Sequence, residues 1–152
     1  HCQVKETFMT ASGLFSAFNM LALLGWVILG AGVALRRDWL RDTLAGTYIP
    51  VFMSASYAIL IMFFFSSAEG GFDTLENVQK LFTSPWAALA GWIHYLAFDL
   101  FMGSRIARGM EEQGLPRWPL MIILPLTFLF GPIGYLVFEI VKATSQRLKV
   151  RS

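Results

Sequence analysis

His94 and Asp99 are two ionisable side chains in an apolar part of the chain. They lie in the stretch WIHYLAFDLFMGSR, residues 92–105, which otherwise has the composition of an oily helix. An aspartate at the centre of a membrane helix costs about 2.5 to 3.5 kcal/mol on insertion, so it is expected to face a partner, water or protein rather than lipid. Imidazole and carboxylate groups are common general acids and bases. The sequence therefore predicts a functional polar site on this helix.

Helix geometry limits how these groups can cooperate. Successive residues are 100° apart around a helix, so His94 and Asp99 are about 140° apart and do not form a same-face pair. Tyr95 shares the face of Asp99 and could hydrogen-bond to it, whereas His94 requires a group from another helix. We predict His94, Asp99 and Tyr95 as catalytic residues. Arg105 is interpreted as a surface anchor in preference to a snorkelling partner of Asp99.

Further polar and aromatic side chains are candidates for ligand binding. They are Asn19, Tyr57, Trp92, Phe98, Phe101 and Thr127. The aromatic rings could line a slot for a long apolar ligand, with lipid contact or core packing as the alternative for each. For the polar residues the alternative is hydrogen bonding between helices without a further function. Small residues four apart, such as Ala87 and Gly91, favour close helix packing.

The composition indicates a membrane protein. Hydrophobic residues make up 56% of 152 and charged residues 14%, and the mean hydropathy is +0.58, which exceeds the apolar share of an ordinary soluble domain. Four apolar stretches have roughly the 20 residues needed to cross a bilayer, and continuous apolar runs in lipid must be helical. They cover about residues 8–35, 44–65, 85–104 and 119–141. We predict one domain over residues 1–152, an all-α integral membrane four-helix bundle.

A short amphipathic segment separates the second and third spans. Asp73 or Thr74 can cap a helix there, and apolar residues follow at helical spacing. These residues are Leu75, Val78, Leu81 and Phe82. We predict a short helix lying along the membrane interface, with a structured loop as the alternative.

The fourth span contains helix-breaking residues. Pro125, Pro132 and the pair Gly131 and Gly134 can kink a helix or form a re-entrant turn. We take a kinked crossing as the prediction, and these residues are expected to shape the helix rather than to take part in chemistry.

The basic residues do not fix the orientation of this predicted bundle. With four crossings, the 12 lysines and arginines divide six against six between the two sides, so the positive-inside rule is neutral. The division becomes ten against two if the fourth segment does not cross. The net charge of +2 comes from residues at helix ends and indicates lipid head groups as partners rather than nucleic acid.

Several common enzyme classes lack their motifs here. The sequence has no nucleophile elbow, phosphate-binding loop or HExxH zinc motif, which argues against common hydrolases, nucleotide enzymes and zinc proteases. Cys2 is the only cysteine, so no paired Cys/His spacing predicts a metal site.

Three motifs resemble a known family. WAALAGWIHYLAFDLFMGSRI, the following GLP and LPLTFLFGPIGYLVF are similar to the signature of the abscisic-acid-deficient-four family of small four-span membrane proteins. The resemblance covers about residues 44–141. Plant members of this family, in the plastid envelope, are required for making neoxanthin from violaxanthin. The resemblance implies a bacterial-type member, in a bacterial inner membrane, or a plastid membrane protein if the host is eukaryotic.

The resemblance also implies a ligand and a reaction. The ligand would be a carotenoid-like isoprenoid, and the reaction an isomerisation that opens a xanthophyll epoxide with an acid and a base. No redox cofactor would be required. Two non-enzymatic alternatives are a carotenoid-binding protein and an accessory subunit of a larger pigment or membrane complex, in which His94 could ligate a chlorophyll-type magnesium. A homo-oligomer is a further possible assembly.

Overall fold

The computed structural model describes the backbone of residues 2–64 and 69–151 and the side chains of residues 10–64 and 69–148. Within these residues the secondary structure is entirely helical, which confirms the predicted all-α class. The helices are α1 (Cys2–Leu35), a π-helical segment (Trp39–Tyr48), α2 (Ile49–Phe64), α3 (Leu75–Leu81), α4 (Pro85–Glu112), α5 (Leu120–Phe130) and α6 (Pro132–Arg151). Phe65, the predicted end of the second span, lies outside the described residues.

The chain divides into two compact units. The first unit contains residues 1–23 and 51–97, and the second contains residues 24–50 and 98–152. Helices α1 and α4 each contribute residues to both units. The contacts of each unit are described separately below, and the single domain stays a prediction.

Two helical stretches are long and apolar enough to cross a membrane. They are Thr10–Leu35 and Trp39–Phe64, each of 26 residues, with mean hydropathies of 2.0 and 1.7. Only 28% and 11% of their most apolar windows is buried inside the chain, whereas the core helix of a soluble protein is mostly buried. Their outward apolar faces favour contact with lipid. The predicted crossings by residues 85–104 and 119–141 stay predictions.

The first of these stretches ends in a tight turn. Arg36 has a positive φ of 54°, and the N–H of Arg37 donates to the carbonyl of Gly32 over 2.9 Å. This bond pattern, with a left-handed residue after the last turn, is the Schellman motif that terminates many helices. The predicted spans end at residue 35 and resume at residue 44, but only three residues separate α1 from the next helix.

The second stretch begins as a π-helix. The backbone N–H of Ile49 donates to the carbonyl of Leu44, five residues earlier, and the Thr47 hydroxyl donates to the carbonyl of Asp42 over 2.8 Å. A π-helical run of this length is rare and often marks a constrained or functional place in a protein. The helix therefore begins about five residues before the predicted start at residue 44.

A contact with α4 accompanies this π-helical segment. The Ser104 hydroxyl donates to the carbonyl of Arg41 over 2.9 Å, which gives that carbonyl a partner from another helix. A Cβ on Gly46 would lie only 2.8 Å from the Cβ of Ser104. The glycine therefore permits the close approach in which Ser104 reaches the backbone.

The predicted short helix between spans two and three is present as α3. The side chain of Thr74 accepts from the backbone N–H of Asn77, and Asp73 Oδ1 accepts from Asn77 Nδ2 over 2.9 Å. The bond from Asn77 holds the pKa of the Asp73 carboxyl below its usual value. Of the two predicted caps, Thr74 caps the helix backbone, whereas Asp73 holds the side chain of Asn77. The interfacial position of α3 stays a prediction.

The fourth apolar segment differs from its prediction. The sequence predicts one kinked helix over residues 119–141, whereas the structure has two helices, α5 and α6, separated at Gly131. A Cβ on Gly134 would lie 2.7 Å from the Cα of Thr127. A continuous helix places residues seven apart about 10 Å from each other. The chain therefore folds back sharply, because glycines at the turn allow the two backbones to touch.

Helix α5 runs along α4 toward its middle. Leu120, the first residue of α5, lines one small cavity together with Met110 of α4. At the other end of α5, a Cβ on Gly131 would overlap the carboxylate of Asp99. Helix α5 has 11 residues and is about 16 Å long, roughly half the thickness of a bilayer core.

Helix α6 runs back toward the end of α4. From Gly131, beside Asp99, seven residues of chain lead to Phe138, whose ring lies 3.0 Å from the position of a Cβ on Gly109. Residues 99 and 109 of α4 are about 15 Å apart along its axis. Helices α5 and α6 thus form a hairpin whose tip lies at Asp99, and we call this element the α5–α6 hairpin.

Candidate functional site

His94 lies on α4 in the first unit and faces α2. Its imidazole packs against the Tyr57 ring with 5.3 Å between centroids and an interplanar angle of 62°. This is the edge-to-face arrangement favoured by aromatic quadrupoles. The sequence requires a partner for His94 from another helix and names Tyr57 as a ligand-binding candidate, and the structure brings these two residues together.

An apolar cavity opens beside this ring pair. It has a volume of about 250 Å³ and is called the His94 cleft. Its lining residues are Tyr57, Ile61, Phe72, Leu81, Phe82, Ala87, Gly91 and His94. Apart from the Tyr57 hydroxyl and the His94 imidazole, these side chains are apolar. A mostly apolar cavity with a few polar groups is typical of a small-molecule site.

Phe72, Phe82 and Gly91 are cleft residues that the sequence did not assign to the site. A Cβ on Gly91 would lie 2.8 Å from the Phe82 ring, so the glycine makes room for that ring. The predicted small-residue pair Ala87 and Gly91 thus accommodates an aromatic side chain at the cleft. The spacing of Ala87 and Gly91 on the same helix face as His94 indicates room for a close neighbour. It does not indicate that this neighbour is the Phe82 ring.

Trp92 lies on a different face of α4 in the first unit and contacts several predicted residues there. Its indole Nε1 donates to Asn19 Oδ1 over 3.0 Å, and its ring lies 5.5 Å from Phe15 and 5.7 Å from Tyr95 between centroids. The predicted residues Asn19, Trp92 and Tyr95 therefore form one group. A cavity of about 370 Å³ adjoins it, lined by Ala11, Ser12, Phe15, Pro85, Ala88, Leu89 and Trp92.

Asp99 belongs to the second unit and lies at the tip of the α5–α6 hairpin. Its side chain is buried, with 7% exposure, and its carboxylate adjoins Gly131, which precedes the first residue of α6. The first N–H groups of a helix have no partners within it, and they attract negative charge. The catalytic role predicted for Asp99 stays a prediction.

The other predicted residues of the second unit have separate surroundings. Thr127 is fully buried, and its hydroxyl donates to the carbonyl of Ile123 within α5 over 2.7 Å. Phe98 is 55% exposed. The Arg105 guanidinium lies 5.0 Å from the centre of the Phe101 ring. The ligand-binding roles of Phe98, Phe101 and Thr127 stay predictions.

A charged cluster in the second unit was not predicted. Arg41 is buried, with 6% exposure, and its guanidinium contacts Asp42 at 2.7 Å, Asp38 at 3.1 Å and also Glu111. Arg117 contacts the second oxygen of Glu111 at 2.8 Å. We call these five residues the Arg41 cluster. Its members lie in the π-helical segment, just before that segment, near the end of α4 and in the connection from α4 to α5. The cluster therefore holds these helix ends close together.

The Arg41 cluster predicts a loss of stability in acid. The hydrogen bond from Arg41, together with the charges of Arg41 and Arg117, holds the pKa of Glu111 below its ordinary value of 4.5. A carboxyl with a lowered folded pKa stabilises the fold above its unfolded pKa, and this contribution is lost as the pH falls through the folded value. Thermal unfolding in detergent should show a melting temperature that declines below pH 4.5, and Glu111→Gln should flatten this decline.

Glu112→Gln is the matched control for this titration. Glu112 is 60% exposed and pairs with Arg108 on the surface of α4, and exposed pairs contribute little stability. Its substitution should keep the acid dependence of the parent protein. A Glu111→Gln protein with an unchanged decline would show that another group causes it.

The structure shows no metal-binding cluster in the described part of the chain. No three or more His, Cys, Asp or Glu side chains there lie together as metal ligands require. The polar groups that could contact a ligand in the His94 cleft are one imidazole and one phenol.

These features define an all-α protein with two helices of membrane-spanning length and an aromatic cleft containing a histidine. Residues 13–138 match the family model described as ABA DEFICIENT 4-like. Since this match covers most of the chain, the protein belongs to the ABA DEFICIENT 4-like family, which confirms the resemblance found in its motifs. Searches of curated proteins and of solved structures found no match.

The family match extends further toward the N-terminus than the motifs do. It begins at residue 13, whereas the motifs cover only residues 44–141, so α1 also carries family signal. Both faces of α4 that carry the candidate site, with His94 and Trp92, lie within the matched range. The match does not distinguish a bacterial from a plastid source, and the bacterial-type assignment stays a prediction.

Proposed function

We propose that this protein is an integral membrane protein that binds a carotenoid-like isoprenoid, with one end ring of the ligand in the His94 cleft. The observation that carries the proposal is the packing of His94 against Tyr57 at 5.3 Å in an otherwise apolar cavity. Family membership supports the ligand class, because the family name refers to abscisic acid deficiency and the family resemblance points to neoxanthin synthesis. The host membrane would be a bacterial inner membrane or a plastid membrane.

The size of the cleft limits how much ligand it holds. Its volume of about 250 Å³ is below the range of about 300 to 1,000 Å³ that is usual for complete small-molecule sites. A long polyene would therefore place only an end ring in the cleft. The polyene chain would leave the cleft past Phe72 and Phe82, two lining residues whose side chains are more than half exposed.

The two polar groups of the cleft suit a proton-transfer isomerisation. Opening an epoxide on the end ring breaks one C–O bond as the oxygen takes a proton. The adjacent chain carbon loses a proton, and a new double bond forms, so atoms and electrons balance without a redox partner. The His94 imidazole and the Tyr57 phenol can each hold or release a proton. We assign the catalytic role to His94, and we place Tyr57 beside it as the second polar group that contacts the ligand.

Asp99 and Tyr95 receive different roles in this proposal. The position of Asp99 at the tip of the α5–α6 hairpin supports a structural function, and the ring contact between Tyr95 and Trp92 supports a role in positioning that tryptophan. Carotenoid binding without catalysis is the second candidate function, since it uses the same cleft. It predicts bound pigment without conversion.

Substitutions in the cleft should separate binding from catalysis. Ala87→Phe adds a ring to the cleft wall, so the amount of carotenoid that copurifies from a carotenoid-producing host should fall at least about tenfold. His94→Phe keeps an apolar ring but removes the proton-transfer group. It should keep bound pigment and slow the conversion of supplied violaxanthin by about 10²- to 10⁴-fold. Pigment is measured by absorption and chromatography of extracts.

Tyr48→Phe provides the matched control, because Tyr48 is an exposed tyrosine in the π-helical segment and does not line the cleft. It should change neither pigment content nor conversion. A colourless parent protein would reject carotenoid binding, and equal pigment in the parent and Ala87→Phe would reject the His94 cleft as the site. Unchanged conversion in His94→Phe would reject its catalytic role. Pigment without conversion in the parent would establish the binding protein instead.

A further inference from the structure

The end of the second unit at which α1 terminates and α5 begins carries exposed arginines and tryptophans. We propose that this surface binds anionic lipid head groups on the cytoplasmic or stromal side of the membrane, and that the α5–α6 hairpin is re-entrant and returns the end of α6 to that same side. The inference rests on the membrane placement proposed above. We call the surface the arginine face and define it by Arg36, Arg37, Trp39, Arg105 and Trp118.

The residues of the arginine face are available to a partner. All five are exposed, with Trp39 at 60% and Trp118 at 66%. Arg36, Arg37 and Arg105 form no ion pair with any carboxylate in the described part of the chain, in contrast to the arginines of the Arg41 cluster. Arg105 also contacts the Phe101 ring, and all three exposed cations can meet an external anion.

Contacts within the second unit bring the helix ends of this face together. Arg117, next to Trp118, donates to the carbonyl of Val33 near the end of α1 over 3.4 Å and to Glu111 near the end of α4 over 2.8 Å. The last turn of α1, the last turns of α4 and the start of α5 consequently lie at one level. Arg36 and Arg37 follow α1 directly, so they belong to this level as well.

The chemistry of these side chains matches a membrane interface. Trp side chains concentrate at the level of lipid head groups, where one part of the ring is apolar and the N–H is hydrated. Lysine and arginine side chains near an anionic leaflet are attracted to its negative surface potential. A guanidinium also donates paired hydrogen bonds to phosphate oxygens. Anionic phospholipid head groups are thus the partner that fits both residue types.

The hairpin geometry changes how the basic residues are distributed between the two sides of the membrane, which was even for four crossings. Helix α5 enters from the level of Met110, turns beside Asp99, and α6 returns to the level of Gly109. The charged last part of α6, which includes Lys142 and Arg147, then lies on the side of the arginine face. The eight lysines and arginines whose side chains are described in the second unit then share one side, and the positive-inside rule assigns such a basic side to the cytoplasm.

The buried carboxylate of Asp99 is consistent with a re-entrant tip. A turn at membrane depth is tolerated only where protein covers its backbone polar groups. The Asp99 side chain, which is buried, adjoins Gly131 between the end of α5 and the start of α6 and so covers part of the turn.

Single-cysteine labelling tests the topology. In a Cys2→Ser background, Pro116→Cys reports the connection between α4 and α5, Gln146→Cys reports α6, and Gln79→Cys reports α3. A membrane-impermeant maleimide should label Gln79→Cys in right-side-out vesicles from a bacterial host. It should label Pro116→Cys and Gln146→Cys only in inverted vesicles.

Each other labelling pattern contradicts a specific part of the inference. Gln146→Cys that labels together with Gln79→Cys would show that the fourth segment crosses the membrane, and Pro116→Cys that labels from outside would reverse the orientation. Equal labelling of all three positions in both vesicle types would overturn the membrane placement itself, and the inference with it.

Lipid retention tests the partner of the arginine face. After reconstitution with equal amounts of phosphatidylglycerol and phosphatidylcholine, native mass spectrometry of the purified protein should show phosphatidylglycerol retained in several-fold excess. Combined replacement of Arg36→Gln, Arg37→Gln and Arg105→Gln should remove the excess, whereas Arg→Lys at the same positions should keep most of it. Equal retention of both lipids by the parent protein, or unchanged preference in the glutamine variant, would overturn the assignment.

Discussion

Gly131→Ala should destabilise the protein by about 2 to 3 kcal/mol, in the upper part of the range for overpacked sites. The added methyl group would overlap the buried carboxylate of Asp99, so the turn of the α5–α6 hairpin must open or the carboxylate must leave the start of α6. Thermal unfolding in detergent, followed by circular dichroism, should show a melting temperature lower by roughly 5 to 10 °C.

Gly30→Ala is the matched control for this overlap. Gly30 is also in the second unit, and a Cβ there would meet nothing within 4 Å. Alanine within a helix gains up to about 1 kcal/mol over glycine, so this variant should be as stable as the parent or slightly more stable.

A double variant tests the proposed cause. Asp99→Ala removes the group that the new methyl meets, so Gly131→Ala should cost less in that background than in the parent protein. Additive losses in the double variant would show that the methyl disturbs something other than the carboxylate.

The parts of the fold that were predicted depend on local sequence. Mean hydropathy and length are sufficient to predict the apolar helices Thr10–Leu35 and Trp39–Phe64. The Thr74 cap and the spacing of the apolar residues after it are sufficient to predict α3. These signals lie within one helix, so no distant contact is needed to read them. They establish the helical class and the position of two apolar helices of spanning length.

The parts that were missed depend on contacts between distant residues. Pro125, Gly131 and Gly134 are compatible with a kink or a reversal, and the contacts of Gly134 with Thr127 and of Phe138 with Gly109 distinguish the two. The π-helical start likewise involves Ser104, 63 residues from the carbonyl of Arg41 that it bonds. Such contacts leave no periodic pattern in the chain.

The candidate site shows the same division. Helix geometry indicates that His94 needs a partner from another helix, and Tyr57 is among the few polar residues offered by α2. The contribution of Phe72 and Phe82 to the cleft depends on how the segment around α3 returns to α4, which composition does not specify. The pairing of Arg41 with Glu111 was not predicted, because it joins residues 70 positions apart in the chain.

Arg41→Met should have the other large effect, a loss of about 2 to 3 kcal/mol. Breaking a fully buried ion pair costs about 3 to 5 kcal/mol because a charge is left without its partner. The cost is smaller here because Asp42 and Glu111 retain 26% and 39% side-chain exposure and can be partly hydrated. The substitution also separates the ends of the π-helical segment and α4, so unfolding should begin at lower temperature or lower denaturant concentration.

Two further arginine variants make this prediction specific to the Arg41 cluster. Arg108→Met breaks an exposed pair with Glu112 whose side chains are 46% and 60% exposed, and such pairs within a helix contribute about 0.3 to 0.5 kcal/mol. Arg41→Lys keeps the charge but cannot contact Asp42 and Glu111 with a planar fork, so its stability should fall between the parent and Arg41→Met. Equal losses in Arg41→Met and Arg108→Met would mean that Arg41 acts as an ordinary surface charge. A lysine variant as unstable as the methionine variant would instead show that the guanidinium geometry, rather than its charge, holds these helix ends together.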